Sequence, residues 1–140
     1  MFNNILIAYD GSEHSRKAAK IAGDFAREQK SSAKLWIVTV MDPLPRELGE
    51  PNFSQLIERR TVIGQGLLDE AVALASDNVE IQRELVFGSP AESIIQVAET
   101  RNCDLIVMGT RGLSVIQGLV TGSQVQKVIS HAHCPVLVVK

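Results

Sequence analysis

Four small residues in the C-terminal third of the chain have a spacing suited to binding phosphate. Gly109 and Gly112 are separated by two residues, Gly112 and Gly122 by nine, and Ser123 follows directly. Glycine lets backbone amides approach phosphate oxygens because no side chain intervenes. A helical pattern begins at 122–123, where unpaired amides and the helix dipole favour an anion. The spacing therefore predicts a phosphate-binding loop, although any one of these glycines alone is more typical of a tight turn.

Other motifs that would indicate different chemistry are absent from the sequence. There is no GxxxxGK[ST], which excludes a P-loop NTPase, and no GxGxxG after the first apolar run, which disfavours a dinucleotide-binding domain. His131 and His133 are only two potential metal ligands, fewer than a typical site needs. His14 has no acid or nucleophile arranged around it as a triad requires, and we expect it to be solvated.

The elements that must position the glycine loop alternate regularly along the chain. Continuous apolar runs are typical of parallel strands buried on both faces, and they occur at Ile5–Tyr9, Leu35–Val40, Leu105–Met108 and Val136–Val139. Charged residues interrupt a fifth run, Val79–Phe87, which predicts a strand at the sheet edge. Helical patterns fill the gaps. The fold class predicted is α/β, an open doubly wound five-stranded parallel sheet with helices on both faces.

The predicted helices are indicated by apolar stripes. Their members are Ala18, Ala22, Phe25 and Ala26 in the first helix, Leu67, Ala71, Leu74 and Ala75 in the second, Ala91, Ile94, Ile95 and Ala98 in the third, and Val125, Val128, Ile129 and Ala132 in the fourth. Gly64 and Gly66 should weaken the first turns of the second helix. Residues 89–92 form a capping-box pattern at the start of the third. The segment 41–54, rich in proline, predicts a long loop.

Composition limits the class of protein and its partners. The 140 residues suit one domain, and the balance of 45% hydrophobic and 21% charged residues is typical of a soluble globular protein. Fourteen basic and sixteen acidic residues leave a net charge of -2, which provides no footprint for nucleic acid or an anionic membrane. The sequence contains no stretch long enough for membrane insertion and no signal peptide. Cys103 and Cys134 form no CxxC pair, so we expect buried thiols in a cytoplasmic protein.

The chain resembles the universal stress protein family over essentially its whole length. The resemblance lies in ILIAYDGSEHS at the start, GSPAESII in the middle, DLIVMGTRG, and GSQVQKVISHAHCPVLVVK at the end. The nucleotide-binding branch of that family carries G-x2-G-x9-G-[ST], which is matched at Gly109, Gly112, Gly122 and Ser123. The resemblance implies the strand order 3-2-1-4-5 and a glycine loop that holds the ribose and phosphates of ATP.

The resemblance also implies which other residues contact the nucleotide. Ala8, Asp10 and Val40 would line the adenine and metal side, and further contacts would come from Met108, Arg111, Gln124 and Val125. Asp10 would lie near a Mg²⁺ or Mn²⁺ ion bridging the phosphates, in agreement with the preference of hard cations for carboxylates. Arg111 could reach a phosphate directly. Tyr9 stands where the family usually has a small aliphatic residue, a departure that could alter the adenine pocket.

The function predicted is that of an ATP-binding stress-response sensor or regulatory module with little or no hydrolysis, because no residue is identified that would activate water. The alternative is a slow ATP-hydrolysing or adenylating enzyme of the nucleotide alpha-hydrolase superfamily, although the signatures of those enzymes are missing. A third alternative, a structural dimer without ligand, would not need the intact glycine motif. A homodimer through Val136–Val139 is expected, since this strand would otherwise leave an unpaired sheet edge. The regulatory protein partner is unknown.

Overall fold

The structure, a computed structural model, describes residues 1–29, 33–75, 78–110 and 123–140. Strands and helices alternate along these ranges. The strands are β1 (Asn4–Ala8), β2 (Lys34–Met41), β3 (Ile81–Phe87), β4 (Leu105–Gly109) and β5 (Val136–Val139). The helices are α1 (Glu13–Glu28), α2 (Asn52–Ala75), α3 (Pro90–Thr100) and α4 (Ser123–His131), with a short 3₁₀ helix at Arg46–Leu48.

The five strands form one parallel sheet in the order β3-β2-β1-β4-β5. This confirms the predicted fold class and strand order. From β1 the chain adds β2 and β3 on one side and then β4 and β5 on the other, so the strand order reverses at β1. β1 therefore pairs with both β2 and β4. In open sheets of this type ligands bind beyond the carboxyl ends of the strands at such a reversal. The relevant edge is therefore where β1, β2 and β4 end.

Each face of the sheet buries its own apolar cluster, because successive side chains of a strand point to opposite faces. On one face Ile5 and Ile7 pack with alanines of α1 and with Leu68 of α2. On the other face Leu6 and Ala8 pack with residues of α3 and α4, including Ile94 and Val128. The small alanines of α1 let that helix lie close to the sheet. Both faces are covered by helices, as predicted.

Two sequence-based expectations about helices were wrong. The loop predicted at 41–54 is shorter, because α2 already begins at Asn52 and continues through Gly64 and Gly66. The fully buried residues of α2 lie at Gly64 or beyond, whereas Phe53, Leu56 and Ile57 form a half-buried apolar stripe in its first turns. The prolines at 43, 45 and 51 outweighed this stripe in the sequence pattern. Ile129 does not belong to the inner stripe of α4 and is 51% exposed.

The capping box predicted at 89–92 forms only in part. Ser89 is the N-cap residue of α3 and Pro90 begins the helix, but the Ser89 side chain accepts no capping hydrogen bond among the described residues. The amide of Ala91 donates instead to Oε1 of Gln124, at 3.1 Å. A side chain of α4 thus satisfies one of the unpaired amides at the start of α3.

None of the helices in the described ranges combines the length and the apolar character that crossing a bilayer requires.

Candidate functional site

The turn between β1 and α1 is built around Asp10. The amide of Ser12 donates to Oδ1 of Asp10 at 2.9 Å, and Gly11 has a φ of +85°, a conformation that L side chains rarely adopt. Ser12 then caps α1, because its side chain accepts from the amide of Ser15 at 3.2 Å. The sequence DGS therefore produces a tight turn that presents the Asp10 carboxylate at the carboxyl end of β1.

A cleft of about 210 Å³ lies where β1 and β2 end. Three of the predicted ligand residues, Ala8, Asp10 and Val40, line it together. The other lining residues are Tyr9, Val38, Thr39, Met41, Asp42, Leu67, Pro90 and Ile94. Its walls are apolar side chains with carboxylates at Asp10 and Asp42, a mixture typical of ligand sites. Asp42, Leu67 and Pro90 were not predicted as ligand residues. Asp42 follows β2, Leu67 belongs to α2 and Pro90 begins α3, so the fold brings them to the cleft.

A larger cavity, of about 390 Å³, lies between α3 and α4 and is lined by Ile95, Glu92 and Lys127 among others. None of the predicted ligand residues lines it. Since ligands of open α/β sheets bind at the carboxyl ends of strands, the smaller cleft is the better candidate site.

At the end of β4, Gly109 lies beneath the first turn of α1. A Cβ added to Gly109 would stand 2.7 Å from Cβ of His14 and 2.9 Å from the amide nitrogen of Ser15. The next residue, Thr110, is hydrogen bonded through Oγ1 to Nδ1 of His14 at 2.7 Å. His14 is therefore half-buried and bonded, not solvated as the sequence suggested. Glycine is required at 109 by this close approach, independently of any ligand.

On the α4 side of the sheet the predicted ligand residues divide into three kinds. Ser123 is exposed at the first residue of α4. The carbonyl oxygen of the Gln124 side chain is occupied by the amide of Ala91. Met108 and Val125 belong to the apolar cluster between the sheet and the helices α3 and α4, with exposures of 0% and 8%. Any contact of these two with a ligand would have to use their backbone or the edge of the side chain.

The remaining predicted ligand residues, Arg111, Gly112 and Gly122, lie outside the described residues. The structure thus brings Ala8, Asp10 and Val40 together in one cleft. It places Gly109 on the neighbouring strand β4 and Ser123 at the start of α4.

Tyr9, expected to alter the adenine pocket, is among the residues that line the cleft, but its ring packs elsewhere. Its ring packs in the cluster with α1 and α2, on the face of the sheet opposite to Ala8. The Tyr9 hydroxyl donates to Oε1 of Glu70 at 2.5 Å, and Arg16 pairs with the same oxygen at 2.7 Å. Burial and the neighbouring Glu70 carboxylate raise the pKa of Tyr9 well above its usual range. The tyrosine thus fastens the end of β1 to α2.

The remaining residues singled out by sequence have structural roles. Burial raises the pKa of the Cys103 thiol to about 12, and burial also raises the pKa of Cys134. Both are free thiols, but only Cys103 is buried as predicted, because Cys134 is partly exposed. Nδ1 of His131 donates to the carbonyl of Lys127 at 3.0 Å. Within the described ranges no group of three or more His, Cys, Asp or Glu side chains could hold a metal ion unaided. A divalent cation bound near these residues would therefore also need oxygen atoms from a bound ligand molecule.

The family model for the universal stress protein family matches residues 1–140. The chain belongs to the universal stress protein family. Among curated members of the family it is 45% identical over 143 residues to a universal stress protein of Thermus aquaticus encoded in the QAH/OAS sulfhydrylase 3' region, with 100% of each chain covered. The family resemblance inferred from the motifs is therefore confirmed.

Solved structures of related proteins have the same fold. The structure of the hypothetical protein MJ0577 superimposes with a TM-score of 0.86 at 26% identity, covering 100% of this chain and 96% of that one. A universal stress protein in complex with cAMP superimposes with a TM-score of 0.71 at 27% identity, covering 99% of this chain and 97% of that one. At least one similar member of the family thus binds an adenine nucleotide.

Proposed function

We propose that this universal stress protein binds ATP at the carboxyl ends of β1, β2 and β4 and acts as a sensor or regulatory module. The observation that carries the proposal is the clustering of Ala8, Asp10 and Val40 in one cleft, beside the strand that leads into the glycine motif. The cAMP complex of a similar protein supports an adenine nucleotide as the ligand class.

The proposed arrangement divides the nucleotide between two regions. A cleft of about 210 Å³ is smaller than the roughly 300–1,000 Å³ of a complete small-molecule site. It suits the adenine and ribose, which would pack against Val40 and Ile94. The phosphates would then extend towards Gly109 and Ser123, where the glycine motif and the start of α4 provide backbone amides.

Asp10 is the residue that would hold Mg²⁺ or Mn²⁺. Its Oδ1 is oriented by the amide of Ser12, which donates to it at 2.9 Å. Mg²⁺ in nucleotide sites is usually bound by one or two carboxylates together with phosphate oxygens, so a single oriented carboxylate fits the ion. When bound, the ion would neutralise phosphate charge.

We propose that hydrolysis is slow. Phosphoryl transfer requires a group that orients the attacking water. Of the two carboxylates that line the cleft, Asp10 is assigned to the metal, and Asp42 lies in the region proposed for the adenine and ribose rather than for the phosphates. Slow turnover suits a protein whose nucleotide state controls contact with a partner.

We also propose a homodimer through β5. Pro135 and Val139 direct their carbonyls to β4, since they accept from the amides of Ile106 and Thr110 at 3.0 and 2.9 Å. Because backbone direction alternates along a strand, Val136 and Val138 direct their N–H and C=O groups outward. The sequence predicted that this strand is buried on both faces, but Leu137 is 37% exposed in the single chain, so one face is partly open. A second copy pairing the same strand would satisfy the outward groups.

The experiment that tests the proposed function is mass spectrometry of small molecules that co-purify with the protein after gentle isolation. We expect denaturation to release an adenine nucleotide in an amount comparable to the amount of protein. Binding studies with the purified protein are described in the Discussion.

A further inference from the structure

The geometry points to His14 as a positioning residue for the phosphate end of the nucleotide, acting through Thr110. The inference rests on the proposed function and adds a residue outside the glycine motif. Nδ1 of His14 and Oγ1 of Thr110 are 2.7 Å apart, a short hydrogen bond between residues separated by 96 positions. It links the first turn of α1 to the residue that follows β4.

Thr110 is held from two directions. Its amide donates to the carbonyl of Val139 at 2.9 Å, and its hydroxyl is bonded to His14. The preceding residue, Gly109, lies against the backbone of His14, with only 2.8 Å between an added Cβ and the carbonyl carbon of His14. The path of the chain is therefore defined up to Thr110, the position from which the glycine motif continues.

The same turn of α1 also fixes Asp10. The Ser15 hydroxyl donates to the carbonyl of Ser12, and the Ser15 amide donates to the Ser12 side chain. The Ser12 amide in turn donates to Asp10. His14 and Ser15 are adjacent, so the same helical turn is bonded both to the turn that contains Asp10 and to Thr110. The His14–Thr110 hydrogen bond therefore links the turn that holds Asp10 to the segment that leads into the glycine motif.

The adenine end of the site does not depend on this hydrogen bond. The cleft residues Val40 and Met41 belong to β2, and Ile94 belongs to α3. Neither His14 nor Thr110 lines that cleft. Loss of the hydrogen bond should therefore weaken binding of the triphosphate and leave binding of adenosine unchanged. A purely structural role would weaken both ligands or neither.

Calorimetric titration of the full chain with ATP plus Mg²⁺ and with adenosine tests the inference. The disrupting variants are His14→Ala and Thr110→Val, alone and together. The preserving variants are His14→Asn, which keeps a polar atom near the position of Nδ1, and Thr110→Ser, which keeps the hydroxyl. His133→Ala, which removes an exposed imidazole remote in sequence from both, is the matched control. Fluorescence of Trp36, the single tryptophan, verifies that each variant is folded.

We expect each disrupting variant to bind ATP about tenfold more weakly, the effect of one hydrogen bond. The double variant should be no weaker than either single one, because both remove the same interaction. The preserving variants and the control should match wild type, and adenosine affinity should not change. If His14→Ala does not fold, Thr110→Val and the two preserving variants carry the test.

If the disrupting variants bind ATP with wild-type affinity, this inference is wrong while the proposed function stands. The same holds if the affinities for ATP and for adenosine fall equally. A wild-type protein that binds neither ligand would overturn the proposed function and this inference with it.

Discussion

Gly109 lies against the backbone of His14, so closely that an added Cβ would stand 2.7 Å from Cβ of His14 and 2.8 Å from its carbonyl carbon. Backbone cannot move aside as the end of a flexible side chain can. We expect Gly109→Ala to lower the free energy of unfolding by about 1–3 kcal/mol, the usual effect of overpacking. Urea denaturation followed by Trp36 fluorescence measures it. A variant as stable as wild type would show that α1 does not approach β4 this closely.

Two glycines of α2 provide a matched pair. A Cβ on Gly66 would meet no atom within 4 Å, whereas a Cβ on Gly64 would stand 2.4 Å from Cδ1 of Leu85. Alanine is the better helix former, so Gly66→Ala should stabilise the protein by about 0.5–1 kcal/mol. Gly64→Ala should gain less or lose stability, because Leu85 must move. Denaturant unfolding of both variants decides the point, and equal effects would place the two glycines in equivalent surroundings.

Tyr9 should remain protonated in the native protein at pH values where free tyrosine ionises. Its pKa is raised by burial and by Glu70, while in the unfolded chain it titrates at about pH 10. The stability linked to Tyr9 is therefore complete below about pH 10 and is lost as the pH rises beyond it, by up to about 1.4 kcal/mol per pH unit. Because Tyr9 is the single tyrosine, phenolate absorbance of the protein reports this group directly.

We expect phenolate absorbance to appear together with alkaline unfolding rather than before it. Tyr9→Phe should be less stable at neutral pH by about 1 kcal/mol, since it lacks the hydrogen bond to Glu70. Its stability should fall less steeply above about pH 10, because it lacks the tyrosine that ionises on unfolding. Cys103, whose pKa is raised to about 12, contributes equally to both proteins. Phenolate formation in the folded protein near pH 10 would contradict the buried hydrogen bond.

The proposed dimer can be separated from the integrity of the sheet. Val138 directs its amide away from β4, so Val138→Pro should abolish dimerisation and leave the bonds to β4 intact. Val138→Thr keeps the amide and is the control, expected to remain dimeric. Light scattering at micromolar concentration measures both. A monomeric wild-type protein would refute the dimer, as would a proline variant that stays folded and dimeric.

The sequence predicted four of the strands well because each is a short, continuous apolar run between helical patterns, as at Leu105–Met108. The run predicted at Val79–Phe87 is interrupted by charged residues, and the strand there begins at Ile81. The sequence failed where local pattern and tertiary contact differ. The stripe at the start of α2 is only half-buried, and Pro51 and Gly49 just before it resembled a loop. Ser89 has the residue type of a capping box, yet Gln124 from another helix supplies a hydrogen bond there.

The candidate site was predictable where it depends on a motif and not where it depends on distant contacts. Asp10 follows an apolar strand, and its position in the cleft agrees with the expectation for ligand residues at strand ends. The hydrogen bond between His14 and Thr110 joins residues 96 positions apart, and no spacing rule connects them. The roles of Arg111, Gly112 and Gly122 stay predictions from the motif.

The central claim, that ATP binds with its phosphates over the glycine motif, is tested most directly by calorimetry with ATP and Mg²⁺. We predict saturable binding to the wild-type protein, about 1–2 kcal/mol weaker binding in Ser123→Ala, the effect of a lost hydrogen bond to a charged group, and no binding in Gly122→Val, whose side chain would block backbone approach. In the same samples ATP should be hydrolysed more slowly than about 1 per second. Binding of ATP by Gly122→Val with wild-type affinity would contradict the account.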